Sequence, residues 1–193
     1  MMNKIIFLDI DGVLNCQEAY VNGECKREDD YGQAFYTPSK DLLNKLIEET
    51  GAKIVISSTW RMSGEQVMKD MWRDRGMSGE IIGITPHLKS TCPIHTDSNI
   101  KYTIPRGCEI DYYLREVLGF SHINWDKDWQ QRKIDESGID NYIIIDDDGD
   151  MLYSQRNHFI HVLPSPRNMT GFNDFYYKQA YDTLSKTVID LNY

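Results

Sequence analysis

Short apolar runs alternate along this chain with segments of helical periodicity. Lys4 to Asp9 contains Ile5-Ile6-Phe7-Leu8, four apolar residues in a row, as expected of a strand buried on both faces. Lys53–Ser58 (KIVISS), Glu80–Thr85 (EIIGIT), the run from Tyr142 (YIIIDDD) and the weaker run from His158 (HFIHVL) repeat that signal. Between them, Ser39–Thr50 sets Leu42, Leu43, Leu46 and Ile47 on one side of a helix that Gly51 stops. Ser63 is the expected cap of a helix carrying Val67, Met68, Met71 and Trp72 to near Gly76. Arg106 to Leu118 aligns Ile110, Tyr113, Leu114 and Val117, and Phe172 to Leu191 closes the chain as a further helix. Strand and helix alternating in this way predict an α/β fold, an open, mainly parallel sheet flanked by helices on both faces.

Two stretches break the rhythm. Residues 15–38 are polar, aromatic and charged, and residues 86–105 carry three prolines among Thr, Ser and His. Both fall where loops leave a sheet, and loops of this length are usually functional, so each is a candidate wall or lid for a site. The aromatic residues of the first, Tyr20, Tyr31, Phe35 and Tyr36, are expected to pack it onto the body, with stacking on a base as the alternative. With no repeat or linker in 193 residues, the expectation is one domain, 1–193, carrying two modest insertions.

Composition narrows the function classes. A net charge of −9 disfavours a broad grip on duplex nucleic acid, which requires many phosphates to be neutralised by Lys and Arg. Nothing approaches the roughly 20 apolar residues of a membrane span, and Asp9 interrupts the N-terminal run, so no membrane partner and a cytoplasmic location are expected. Cys16, Cys25, Cys92 and Cys108 form no CxxC pair and read as reduced thiols. His158 and His161 on one strand face opposite ways and cannot share an ion.

The chemistry lies at the strand ends. Asp9 and Asp11 follow the first strand, Ser57, Ser58 and Thr59 the second, and Asp146 to Asp150 the late one. Ligands of open parallel sheets bind outside the carboxyl ends of the strands, so these groups should converge. Carboxylates crowded there repel unless a cation lies between them. Oxygen-only ligands select a hard ion, and Mg²⁺, which binds through one or two carboxylates and completes its shell with water and phosphate, is the expected cofactor.

FLDIDGVLN, a strand ending in Ser58, a basic residue at Arg106 and IIIDDDGD resemble, in order, the four motifs of the haloacid dehalogenase (HAD) superfamily of phosphohydrolases. ISSTWR, GITP and RGCEI resemble more narrowly the HAD-type domains associated with nucleic-acid repair proteins. The resemblance implies a Rossmann-like sheet and a set of roles. Asp9 would attack phosphorus, giving an aspartyl-phosphate, and Asp11 would serve as general acid and then base. Ser58 would hydrogen-bond a phosphoryl oxygen, with Ser57 its nearest rival, and Arg106 would balance charge where the family usually has Lys; Lys101 and Lys133 are the substitutes. The metal would be held by Asp9, the backbone carbonyl of Asp11 and either Asp146 with Asp150 or the adjacent pair Asp146 and Asp147.

Thr59 and Arg61 are further candidates for binding substrate, and Trp60 is equally a core residue or a substrate contact. The expected activity is hydrolysis of a phosphomonoester, with a nucleotide or nucleic-acid end as the candidate substrate. The alternative is a phosphate-binding or protein-interaction module with vestigial chemistry.

Overall fold

The computed structural model describes residues 3–24, 28–88, 104–120, 137–163 and 167–186. Along the chain, β1 (Asn3–Leu8) is followed by α1 (Gln17–Asn22) and a small antiparallel pair, β2 (Glu28–Asp29) and β3 (Gly32–Gln33). Next come α2 (Thr37–Thr50), β4 (Lys53–Ile56), α3 (Glu65–Asp74), β5 (Ile81–Ile84) and α4 (Arg106–Tyr112). After them lie β6 (Ile139–Asp146), β7 (Phe159–His161) and α5 (Asp174–Leu184). Five strands make one sheet in the order β5-β4-β1-β6-β7, and every neighbouring pair is parallel.

Register explains why β1 is apolar without alternation. Phe7 lies beside Val55 on one neighbour and Ile144 on the other, and all three join Ile110, Leu114 and Tyr142 in a core on one face. Leu8 lies between Ile56 and Ile145, which meet Leu43, Leu46, Met68, Met71 and Leu184 on the opposite face. A strand enclosed on both sides has no polar row to spare, so its first charged side chain comes where the sheet ends. The ladder runs one step past the strand: the Asp9 N–H donates to Ile145 O (2.9 Å) and the Ser57 N–H to Leu8 O (2.8 Å).

Several local expectations are corrected. Ser63 is not the cap of α3: residues Thr59–Ser63 form a 3₁₀ turn, and Gly64, at φ +98°, occupies the cap position. A side chain would be strained in that backbone region, so the glycine makes the junction between the two helices. The helix expected over Arg106–Leu118 is α only to Tyr112. It then widens to a π turn, Tyr113–Val117, with the Leu118 N–H bonded five residues back to Tyr113 O (3.1 Å). Helical apolar spacing cannot register a one-residue widening.

The first insertion packs on the body, as its aromatic content suggested. Phe35 and Tyr36 are buried, while Tyr20 is 40% exposed. Most of the second insertion lies outside the described residues, as do Cys25, Cys92, Lys101 and Lys133. Among the described residues, no helix is long and apolar enough to cross a membrane.

Phe7 is fully buried in the centre of the sheet and Val117 is 56% exposed. Phe7→Ala is therefore expected to cost about 3–5 kcal/mol and Val117→Ala within about 0.5 kcal/mol, read from denaturant midpoints at unchanged slope.

Candidate active site

The carboxyl ends of the adjacent central strands β1 and β6 bring Asp9, Asp146 and Asp147 together. One oxygen from each lies within 4.8 Å of the others. Asp146 closes β6 and is fully buried; Asp9 is 5% exposed and Asp147 half-buried. The Asp148 N–H donates to Asp146 Oδ1 (3.0 Å), while Oδ2 is buried and has no hydrogen-bond partner among the described residues. Arg106 Nη1 lies 3.7 Å from that oxygen.

Gly12 makes room for the third carboxylate. A Cβ there would stand 2.2 Å from Asp147 Oδ2, and the backbone is left-handed at φ +73°. The glycine that follows the DID sequence is thus both a turn and a space into which Asp147 fits.

Among the described residues, one cation reaches the group. Arg106, in the first turn of α4, donates from Nη1 to Asp9 Oδ1 (3.1 Å) and to the Ser57 carbonyl. Burial works against its charge, but Asp146 and then Asp9 outweigh that and push its pKa up. Burial likewise raises the Asp9 carboxyl to about 6, against the pull of Arg106 and a hydrogen bond from Ser58. Asp146 rises to about 8, from burial first and then from the Asp9 charge. Asp147 is raised by burial and by Asp148. One guanidinium is too little for three crowded carboxylates.

The other predicted site residues take distinct positions. Ser57 and Ser58 are fully buried beyond β4, and Thr59 is exposed at the start of the 3₁₀ turn. Asp150 is outside the group of three; its Oδ2 accepts from the Arg106 backbone N–H (2.8 Å), so it ties the site loop to the start of α4. The exposed Asp11 carboxylate accepts from Trp60 Nε1 (3.0 Å) and Asn15 Nδ2 (3.3 Å). Arg61 is buried and turned toward Glu109 (2.5 Å) and the Ser58 carbonyl (2.7 Å). A cleft of 340 Å³ lined by Arg61, Thr85, His87 and Tyr112 opens beyond the ends of β4 and β5; none of the three carboxylates lines it. His158 is buried, with Nδ1 against the Tyr142 carbonyl (2.8 Å), and His161 is exposed.

Sequence reasoning gave Asn15 and Glu109 no role. Glu109 had a faint signal, since it stands three residues after Arg106 and so on the same side of a helix. Asn15 had none, because a four-residue return from Asp11 is a property of the turn, not of residue type.

With this geometry in place, the comparison with known families is decisive. The model described as "HAD domain in Swiss Army Knife RNA repair proteins" matches residues 5–174. The chain belongs to this family. Searches of curated proteins and of solved structures find no match. As a HAD domain it carries the parallel Rossmann-like sheet and a phosphohydrolase-type site. The buried Asp146 Oδ2 and the all-oxygen donor set of Asp9, Asp146 and Asp147 fit a hard divalent cation.

The raised carboxyls set a pH dependence for the metal-free protein. Between about pH 4, the ordinary carboxylate range, and about 8, the folded chain holds protons that the unfolded chain releases, so stability falls as pH rises. Thermal melts in EDTA are expected to show that slope in wild type and to lose much of it in Asp146→Asn. Added Mg²⁺, which binds the ionised form, should raise the wild-type Tm more at pH 8 than at pH 5.

Proposed function

We propose that this HAD domain is a Mg²⁺-dependent phosphomonoesterase that works through an aspartyl-phosphate on Asp9. The observation that carries the reading is the trio Asp9, Asp146 and Asp147 at the ends of two neighbouring strands, with a buried carboxylate oxygen that accepts no hydrogen bond from the described residues. Asp9, Asp146 and Asp147 would hold the ion, whose charge would offset theirs and that of a bound phosphoryl group. Asp9 Oδ attacks phosphorus as the bond to the leaving oxygen breaks, and Asp11 gives that oxygen its proton. Water then attacks the phosphoenzyme, Asp11 takes the proton back, and inorganic phosphate leaves with Asp9 regenerated. Ser58 and Arg106 supply donors to the phosphoryl oxygens.

The substrate in this reading is a nucleotide or the terminal phosphate of a polynucleotide. Three features support an end over an extended duplex. The matching family is described by its place in RNA repair proteins. The cleft beyond the ends of β4 and β5 offers Tyr112 and His87 as flat faces. The net charge of −9 is unsuited to gripping many phosphates at once.

Phosphate release should be measured with and without Mg²⁺ on 3′- and 5′-phosphorylated oligonucleotides, mononucleotides and sugar phosphates. Mg²⁺-dependent turnover is expected, highest on one of the two nucleic-acid classes. Asp9→Asn should lower it by at least about 10³-fold while retaining cooperative unfolding. A wild type inactive on the whole panel would overturn the phosphatase reading; turnover confined to sugar phosphates would overturn the substrate class alone.

A further inference from the structure

Asp11 is an exposed carboxylate with a demanding task. A general acid must meet the leaving oxygen at hydrogen-bond distance in a defined direction, yet a free surface Asp samples its rotamers on the picosecond to nanosecond scale. Here each oxygen has its own donor: Oδ1 takes Asn15 Nδ2 at 3.3 Å and Oδ2 takes Trp60 Nε1 at 3.0 Å. Two donors on opposite oxygens fix the plane of a carboxylate. The indole N–H can only donate, so it engages Asp11 as an acceptor and leaves its orientation to the ring.

The ring is itself held. The Trp60 backbone N–H donates to Ser58 Oγ (3.4 Å), which fixes the main chain from which the indole projects to the second motif. Phe35 packs at 6.2 Å between ring centroids and 49° between planes. The Arg75 guanidinium lies 4.3 Å from the Phe35 ring centre and 5.3 Å from that of Trp60. Arg75 in turn grips both oxygens of Asp29 (2.9 and 2.7 Å), so the small β2–β3 pair is fastened to the end of α3. A continuous set of contacts leads from the first insertion through Arg75, Phe35 and Trp60 to Asp11.

We infer that Trp60 is a positioning residue, which orients the Asp11 carboxylate for proton transfer to the leaving oxygen. The inference rests on the phosphatase reading and adds to it a reason for the insertion: residues 28–35 hold the indole that aims the acid. Trp60 is assigned no contact with the reacting atoms.

The test uses Trp60→Phe, which keeps an aromatic ring and removes the donor. In a two-step phosphatase, kcat/KM covers only the events up to loss of the leaving group, where the acid acts. On glycerol 2-phosphate, whose alkoxide needs a proton, kcat/KM is expected to fall about ten-fold, a fraction of what general acid catalysis contributes. On 4-nitrophenyl phosphate, whose phenolate departs unprotonated, the change should stay within about two-fold. Asp11→Asn should show the same selectivity, and adding Trp60→Phe to it should cost little more. Equal loss on both esters, no loss on either, or full additivity with Asp11→Asn overturns the inference. A second readout needs no turnover. The Trp60 indole N–H resonance, assigned by its disappearance in Trp60→Phe, should move and exchange faster in Asp11→Ala, and an unmoved resonance overturns the assignment. Loss of all activity in wild type with a resonance that does move would refute the phosphatase reading and leave the Trp60–Asp11 contact established.

Discussion

The site depends on negative charge being forced into a place with little access to water. Asp146 closes a strand enclosed on both faces, and Asp9 lies one residue past another, so neither carboxylate can turn to solvent without leaving the sheet. Burial raises both pKa values, and Arg106 offsets only part of the repulsion. A fold that keeps such a cluster gives up stability at neutral pH in the absence of a cation. In exchange it gains a preorganised centre where a cation and a phosphoryl group are welcome.

Around that centre the chain divides its labour. The strands set the positions of Asp9, Ser58 and Asp146 through a ladder with little freedom. The loops decide direction. Gly12 yields space to Asp147, Asp150 ties the loop after β6 to the start of α4, and Arg106 reaches back from that helix across 97 residues of sequence to Asp9. Arg61, a basic side chain near the site, is held by Glu109 in a buried ion pair. That pair links the turn after β4 to α4 and so keeps Ser58 and Arg106 in fixed relation.

Legibility in the sequence followed the strength of the physical signal. β1 and β6 were plain because a strand buried on both faces has an almost unbroken apolar run. The antiparallel pair in the first insertion and α1 were not foreseen, since elements of two to six residues carry too few positions for a period to show. The expected cap at Ser63 failed because residue type favours Ser at a cap, while the backbone there required the left-handed conformation that glycine tolerates. Trp60 could be read either as core or as contact; its partner comes from another strand end, 49 residues away.

What the sequence determined by itself was the α/β class, the strands that carry the site and the residue types that end them. Apolar runs and acidic termini are local properties, and local free energies suffice to read them. Only the tertiary structure decided that β1 lies between β4 and β6, and that Asp147 joins Asp9 and Asp146 while Asp150 turns to the start of α4. The same holds for the two donors on Asp11. Asp147 and Asp150 are alike in composition and close in sequence. They differ in the space that Gly12 leaves for one and the free backbone N–H that Arg106 offers the other, and both come from segments more than 40 residues distant along the chain.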